Sequence, residues 1–268
     1  MKMLYEPAEN ELPEKSRMRK ERIFAILLII LLGCMLIVAL ILFFPVLTGS
    51  TNQNVSSINW SGYAVATNLN NPQPLVTAVE ASWTVPMVSA STGNTFSATW
   101  IGVGGEFDNT LIQTGTEQDS IKGVGTYSAW YELTPATEVT IDSFSVSPGD
   151  LITASISLSD PSTRTWFLEI QDFTDGQSYH NSVVYASSML SAEWIVERPK
   201  IGPTLRNLAN FSEVTFTGCA ATVGGKVETI SSLPSIEVTM LNQNTELTNV
   251  SPLASNGSSF TVNYVASG

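Results

Sequence analysis

The chain has 268 residues, with 24 Asp and Glu against 12 Lys and Arg, a net charge of −12 and a pI near 4.4. That balance excludes a nucleic-acid partner, which needs a basic footprint, and suits a protein working in acid, where protonating carboxylates relieves self-repulsion. A single histidine, His180, and two cysteines leave no His/Cys cluster with zinc spacing and one residue on which every Ser-His-Asp or Cys-His scheme would depend, with no nucleophile-elbow motif near it.

Residues 1–22 are polar and charged with no apolar period, which predicts a cytoplasmic tail. Ile23 to Phe44 is an unbroken apolar run without a charge, long enough to cross a ~30 Å hydrocarbon core as a helix. Lys15, Arg17, Arg19, Lys20 and Arg22 crowd its N-terminal side, and the next basic residue is Lys122. The positive-inside rule then predicts a single-pass cell-membrane protein, with a transmembrane signal anchor over 23–47 and the rest of the chain extracellular. A cleaved signal would have a shorter apolar core and a small-residue exit; this run leaves through Phe43-Phe44-Pro45. Leu31-Leu-Gly-Cys34 looks superficially like a lipoprotein signal, but apolar sequence continues well beyond Cys34. A Ser/Thr/Asn-rich linker is expected over 48–58. Cys219 is the only cysteine after the apolar run, so the remaining domain, 59–268, draws its stability from a core rather than from disulfides.

Beyond the linker the pattern is β throughout. Ile152, Ala154, Ile156 and Leu158 alternate with Thr153, Ser155 and Ser157; Trp166, Leu168 and Ile170 alternate with Phe167, Glu169 and Gln171; Val214 and Phe216 alternate with Thr215 and Thr217. Turn clusters such as Ser147-Pro-Gly-Asp150, Ser159-Asp-Pro-Ser162, Asp175-Gly176 and Asn256-Gly257 separate these runs, and many short strands at this spacing read as a sandwich or a barrel. Gly102-Val-Gly104-Gly105 sits inside this β region and opens no helix, so it is not a phosphate loop.

Two strings carry the chemistry: Leu111-Ile-Gln113-Thr-Gly115 and Ala192-Glu193-Trp-Ile-Val-Glu197. Strand alternation puts Leu111, Gln113 and Gly115 on one face of the first, and Glu193, Ile195 and Glu197 on one face of the second. A glutamate can deprotonate a water and return the proton to a leaving amine, and a neutral amide N–H can hold an oxyanion. Taken singly, Gln113 reads as a surface amide and Glu197 as a solvated strand end. Together with Asn59-Trp60-Ser-Gly62, Ala98-Thr-Trp100-Ile-Gly102 and Ala129-Trp130-Tyr131-Glu132 in the same order, the strings resemble the glutamic peptidases, the eqolisin family, from about Asn59 to about Val265.

The resemblance implies an all-β, two-sheet antiparallel β-sandwich of the concanavalin A-like or jelly-roll type, with one concave face holding the site. It implies an endopeptidase that acts in acid on polypeptide substrates without a cofactor or metal, expected here as a monomer held to the membrane by its N-terminal helix. Glu197 would serve as general base and then acid, and Gln113 would orient the water and stabilise the oxyanion. Trp60, Trp100 and Trp130 would line the cleft, Glu132 would tune Glu197 by like charge, and Glu193 would be structural. Many fungal members carry an Asp where this chain has Gly104, and often one where it has Ser128, so a thinner polar surround is expected. No room for a propeptide lies between Pro45 and Asn59, so zymogen control is not expected.

Two other readings stay open at this point. A glycosidase on a similar sandwich could use Glu193 and Glu197, but four residues of regular strand hold them ~13 Å apart, against ~5–5.5 Å for a retaining pair and ~6.5–9.5 Å for an inverting one. A non-catalytic glycan- or peptide-binding sandwich could equally use the tryptophans. Asn54, Asn59, Asn210, Asn249 and Asn256 sit in N-x-Ser sequons, and a glycan on Asn59 would obstruct the cleft beside Trp60.

Overall fold

A computed structural model of the chain describes residues 52–268, so the predicted tail (1–22) and transmembrane helix (23–47) lie outside the described residues. The strands of the first half are β1 (Asn52–Ser57), β2 (Trp60–Ala66), β3 (Val76–Thr84), β4 (Ala98–Val103), β5 (Ile112–Ile121), β6 (Val124–Leu133) and β7 (Val139–Thr140). Then come β8 (Leu151–Asp160), β9 (Thr165–Asp172), β10 (Gln177–Val184), β11 (Ser191–Glu197), β12 (Lys200–Ile201) and β13 (Thr204–Leu205). The last are β14 (Glu213–Val223), β15 (Lys226–Thr229), β16 (Ser235–Asn242), β17 (Thr245–Glu246), β18 (Thr248–Val250) and β19 (Phe260–Tyr264). A single 3₁₀ turn, Ile230–Ser232, is the one helical element among the described residues, none of which forms a helix long and apolar enough to cross a membrane.

Two sheets form the sandwich. The first runs β1-β16-β2-β11-β4-β5-β6-β7 and the second β10-β9-β8-β3-β14-β19-β18. The pairings within them are antiparallel except that of β1 with β16, which is parallel and makes the first sheet mixed. β1 also revises the expected linker over 48–58, since Asn52–Ser57 supplies an edge strand. Its side chains are almost all exposed and polar on both faces, so it is held by backbone pairing and gives no apolar alternation to read.

The alternating runs behave as their period requires. Ile152, Ala154 and Ile156 of β8, and Trp166, Leu168 and Ile170 of β9, point into the space between the sheets. Ile101, Val103, Ile112, Trp194 and Val196 meet them from the first sheet. Two buried tryptophans bridge the layers by their polar tips: Trp194 Nε1 donates to the Glu80 carbonyl at 2.9 Å, and Trp83 Nε1 donates to Thr116 Oγ1 at 3.1 Å.

The first sheet is apolar on its outer face as well. Trp100, Trp130, Leu111, Ile195 and Ala98 form a second cluster there, with Trp60 packed against it, and β4 is buried along its whole length. Gly62 lets β2 pass close to β11: its φ is +143°, and a Cβ would sit 2.1 Å from the Trp194 carbonyl oxygen. Gly62→Ala is therefore expected to cost about 3 kcal/mol of stability, read as a lower denaturant midpoint at unchanged slope.

Candidate active site

Cross-strand register sorts the outer face of the first sheet into rows. One row reads Ala64, Glu193, Gly102, Gln113, Glu132 across β2, β11, β4, β5 and β6. The next on that face reads Gly62, Ile195, Trp100, Gly115, Trp130, and the third Trp60, Glu197, Ala98, Glu117, Ser128. Gln113 and Glu197 thus share the face on rows two apart, with the Trp100 row between them. Both line one cleft of about 560 Å³, together with Asn59, Trp60, Trp130 and Glu132.

Trp100 spans the gap. Its ring edge reaches Gly102, where an added Cβ would meet Cζ3 at 3.0 Å, while its Nε1 donates to Glu197 Oε2 at 2.9 Å. Glycines at 102 and 115 leave room for this indole: a Cβ at Gly115 would come within 2.6 Å of Trp100 Cβ. Trp100 is wholly buried and Trp130 nearly so, so both lie beneath the cleft surface as its floor. Trp60 is half-buried and packs edge-on against Trp100, ring centres 5.1 Å apart.

Glu197 is held at both oxygens. Asn59 Nδ2 donates to Oε1 at 3.0 Å and Trp100 Nε1 to Oε2. Burial pushes its carboxyl up to about 7; hydrogen bonds from Asn59, Trp100 and Trp60 pull it down, and the charge of Glu132 pushes it further up. Gln113, 4% exposed, donates from Nε2 to Glu132 Oε2 at 2.6 Å, and its Oε1 has no partner. A carboxylate accepts only, so Glu132 fixes which end of the amide is nitrogen; the second N–H of Nε2 stays free for the cleft. Burial raises Glu132 as well, against that same hydrogen bond.

Other acids lie in the cleft beyond those expected. Glu117 lies on the Glu197 row, and burial raises it. Glu138, in the loop before β7, lines the cleft too and is pushed up to about 8 by desolvation and by Glu117, Glu132, Asp119 and Glu197. Asp119, further along the same face of β5 and outside the cleft lining, is pushed up to about 7 by burial and Glu117. Alternation from Gln113 through Gly115 would have found Glu117; Glu138 is a loop residue with no periodic signal. Glu193 lies on the Gln113 row but is fully buried, with neither carboxylate oxygen hydrogen-bonded, and burial raises it far above the usual range. Asn59 was legible only as a motif and sequon residue; the nitrogen an N-glycan would use is the one donating to Glu197. His180 stacks on Phe167 on the second sheet, with ring centres 5.7 Å apart.

A family model described as the Peptidase A4 family matches residues 58–264. Aspergillopepsin-2 of Aspergillus niger is 28% identical over 243 residues, covering 82% of this chain and 81% of its own. Scytalidopepsin B of Scytalidium lignicola is 30% identical over 178 residues, 62% of this chain and 66% of its own. A crystal structure of scytalido-glutamic peptidase with a transition state analog inhibitor superposes with a TM-score of 0.66 at 23% identity, covering 78% of this chain and 99% of that one. These relatives are secreted fungal peptidases, which overturns the single-pass cell-membrane placement drawn from the apolar run; hydropathy measures whether a segment can insert, and the run itself lies outside the described residues. With its motifs on one face of the first sheet and the match spanning most of its length, the chain belongs to the Peptidase A4 family, the glutamic peptidases.

Proposed function

We propose that Glu197 and Gln113 are the reacting pair of this acid-acting glutamic endopeptidase, with polypeptides as substrates. The observation that carries the pairing is a partly buried carboxyl, held at both oxygens by Asn59 and Trp100, in the same cleft as an amide whose free N–H is oriented by Glu132.

Below about pH 7 Glu197 is protonated. As water attacks the scissile carbonyl carbon, one Glu197 oxygen takes a water proton while the other gives its own proton to the carbonyl oxygen. A neutral tetrahedral diol results. Gln113 donates its free N–H to the oxygen on which charge develops, a contribution of ~3–4 kcal/mol where such donors have been removed. Collapse transfers the Glu197 proton to the amide nitrogen, the C–N bond breaks, and a diol hydroxyl returns its proton to Glu197. Base and acid roles thus alternate on one side chain. Asp119 and Glu138, pushed up to about 7 and about 8, are protonated in acid along with Glu197, which lowers the negative charge beside an uncharged peptide backbone.

The glycosidase reading loses its geometry. β11 pairs with both neighbours without a register shift, so no bulge brings Glu193 toward Glu197, and Glu193 is buried with no exposed oxygen.

The test is cleavage of denatured protein between about pH 2 and 8, with β-glucans as the negative substrate. Because the active form of Glu197 is protonated, kcat/KM should hold in acid and fall through about pH 7. Glu132→Gln removes a like charge and should move that fall to lower pH. Asn59→Ala removes a donor that favours the carboxylate and should move it to higher pH. Shifts of opposite sign would overturn Glu197 as the titrating group.

A further inference from the structure

The second sheet carries an acidic cluster that lies on none of the three rows of the cleft face. Asp150 precedes β8, Asp172 ends β9, and Asp175 lies in the turn from β9 to β10. One carboxylate oxygen from each lies within 4.8 Å of the other two. Asp172 continues the inward-facing line Trp166, Leu168, Ile170, and Asp150 the line of Ile152 and Ala154, so two carboxylates occupy core-facing positions at one end of the sandwich.

Their hydrogen bonds do not account for this. Asp172 is 1% exposed; its Oδ1 accepts the Thr174 and Asp175 amides at 2.8 and 3.4 Å, while its Oδ2 has no partner. Asp150, 5% exposed, accepts the Ser147 amide at 2.6 Å, and the charges acting on it are those of Asp172 and Asp175, with no basic side chain among them. An unpaired buried carboxylate oxygen facing two further carboxylates calls for a cation. The turn is stitched to β8 by Phe173 N to the Leu151 carbonyl at 2.9 Å and Leu151 N to Thr174 Oγ1 at 2.8 Å, which holds Asp175 over the other two.

We propose that Asp150, Asp172 and Asp175 form a Ca²⁺ site that locks the β9–β10 turn onto the start of β8. All three donors are hard oxygens, as Ca²⁺ prefers, and a triad of carboxylates with one side open to water suits the flexible coordination of Ca²⁺ better than the near-ideal octahedron Mg²⁺ demands. Asp175 is exposed, so water reaches the open side and completes the coordination.

The test is calorimetric titration and thermal melting of the full chain at pH 7, stripped with chelator, against Ca²⁺ and Mg²⁺. One Ca²⁺ per chain is expected, with a melting temperature about 5 °C higher at ~10 mM Ca²⁺, given millimolar-or-tighter binding typical of extracellular sites. Asp175→Ala alters an exposed side chain, so it should melt like the stripped parent, lose the Ca²⁺ shift and bind at least tenfold more weakly; Asp172→Asn should lose the shift too. A parent indifferent to Ca²⁺ would overturn the site. So would a shift retained in both variants, which would place the ion among the cleft acids, or an equal shift with Mg²⁺.

Discussion

Glu197→Gln is expected to lower kcat for peptide cleavage about 10⁴-fold, the upper range for loss of a general acid–base group. The substitution keeps size and removes the only proton carrier held at both oxygens in the cleft. At acid pH, where the parent carboxyl is itself uncharged, its folding cost is one lost hydrogen bond. An amide accepts only through its oxygen, so either Asn59 or Trp100 loses its acceptor, at a cost of about 1–2 kcal/mol. The pH dependence of stability supplies a second check. A carboxyl raised by burial binds its proton more tightly folded than unfolded, so its contribution to stability falls as pH rises from the ordinary carboxyl range through about 7. The variant lacks that loss, and its melting temperature should close on the parent's between pH 5 and about 8. Cleavage above a tenth of the parent rate, with folding intact, would remove Glu197 from the mechanism.

What the residues made legible follows from which physics has a period. Trp166, Leu168 and Ile170 alternate because β9 buries one face, and the same rule put Gln113 and Glu197 on the outer face of the first sheet. Alternation is silent about which strands adjoin, so it could not show that Gly102 and Gly115 clear the space Trp100 fills between the two. Nor could it see β1, whose Asn, Gln and Ser side chains bury little and whose order comes from backbone bonds to β16. Glu138 reaches the cleft from a loop, and Asp172 occupies a core-facing position that a polar letter would assign to a turn. The three tryptophans were expected to line the cleft; their letters carry no measure of depth, and in the structure Trp100 and Trp130 are buried while Trp60 is half-buried. The apolar run misled on location for a related reason, since hydropathy carries no information on what becomes of a segment able to insert.

Gln113→Ala should lower kcat/KM by about 10²–10³ with little change in KM, because an oxyanion donor acts mainly in the transition state. The size follows from how firmly the amide is set. Gln113 is buried, and its 2.6 Å bond to Glu132 fixes both rotamer and flip, so the free N–H needs no reorganisation as charge develops. Glu132 reaches the substrate oxygen only through that amide, which makes the two effects non-additive. Once Gln113 is gone, Glu132→Ala should cost further activity only through its charge on Glu197, and that part should vanish well below pH 4, where Glu132 is protonated. A double-mutant cycle run in acid and again near neutrality separates the parts. Additive losses in acid would mean that Glu132 has its own contact with the reacting atoms. A Gln113→Ala enzyme with normal kcat/KM would leave the oxyanion to another donor, and Trp130 Nε1, buried in the floor without a partner, would be the group to examine.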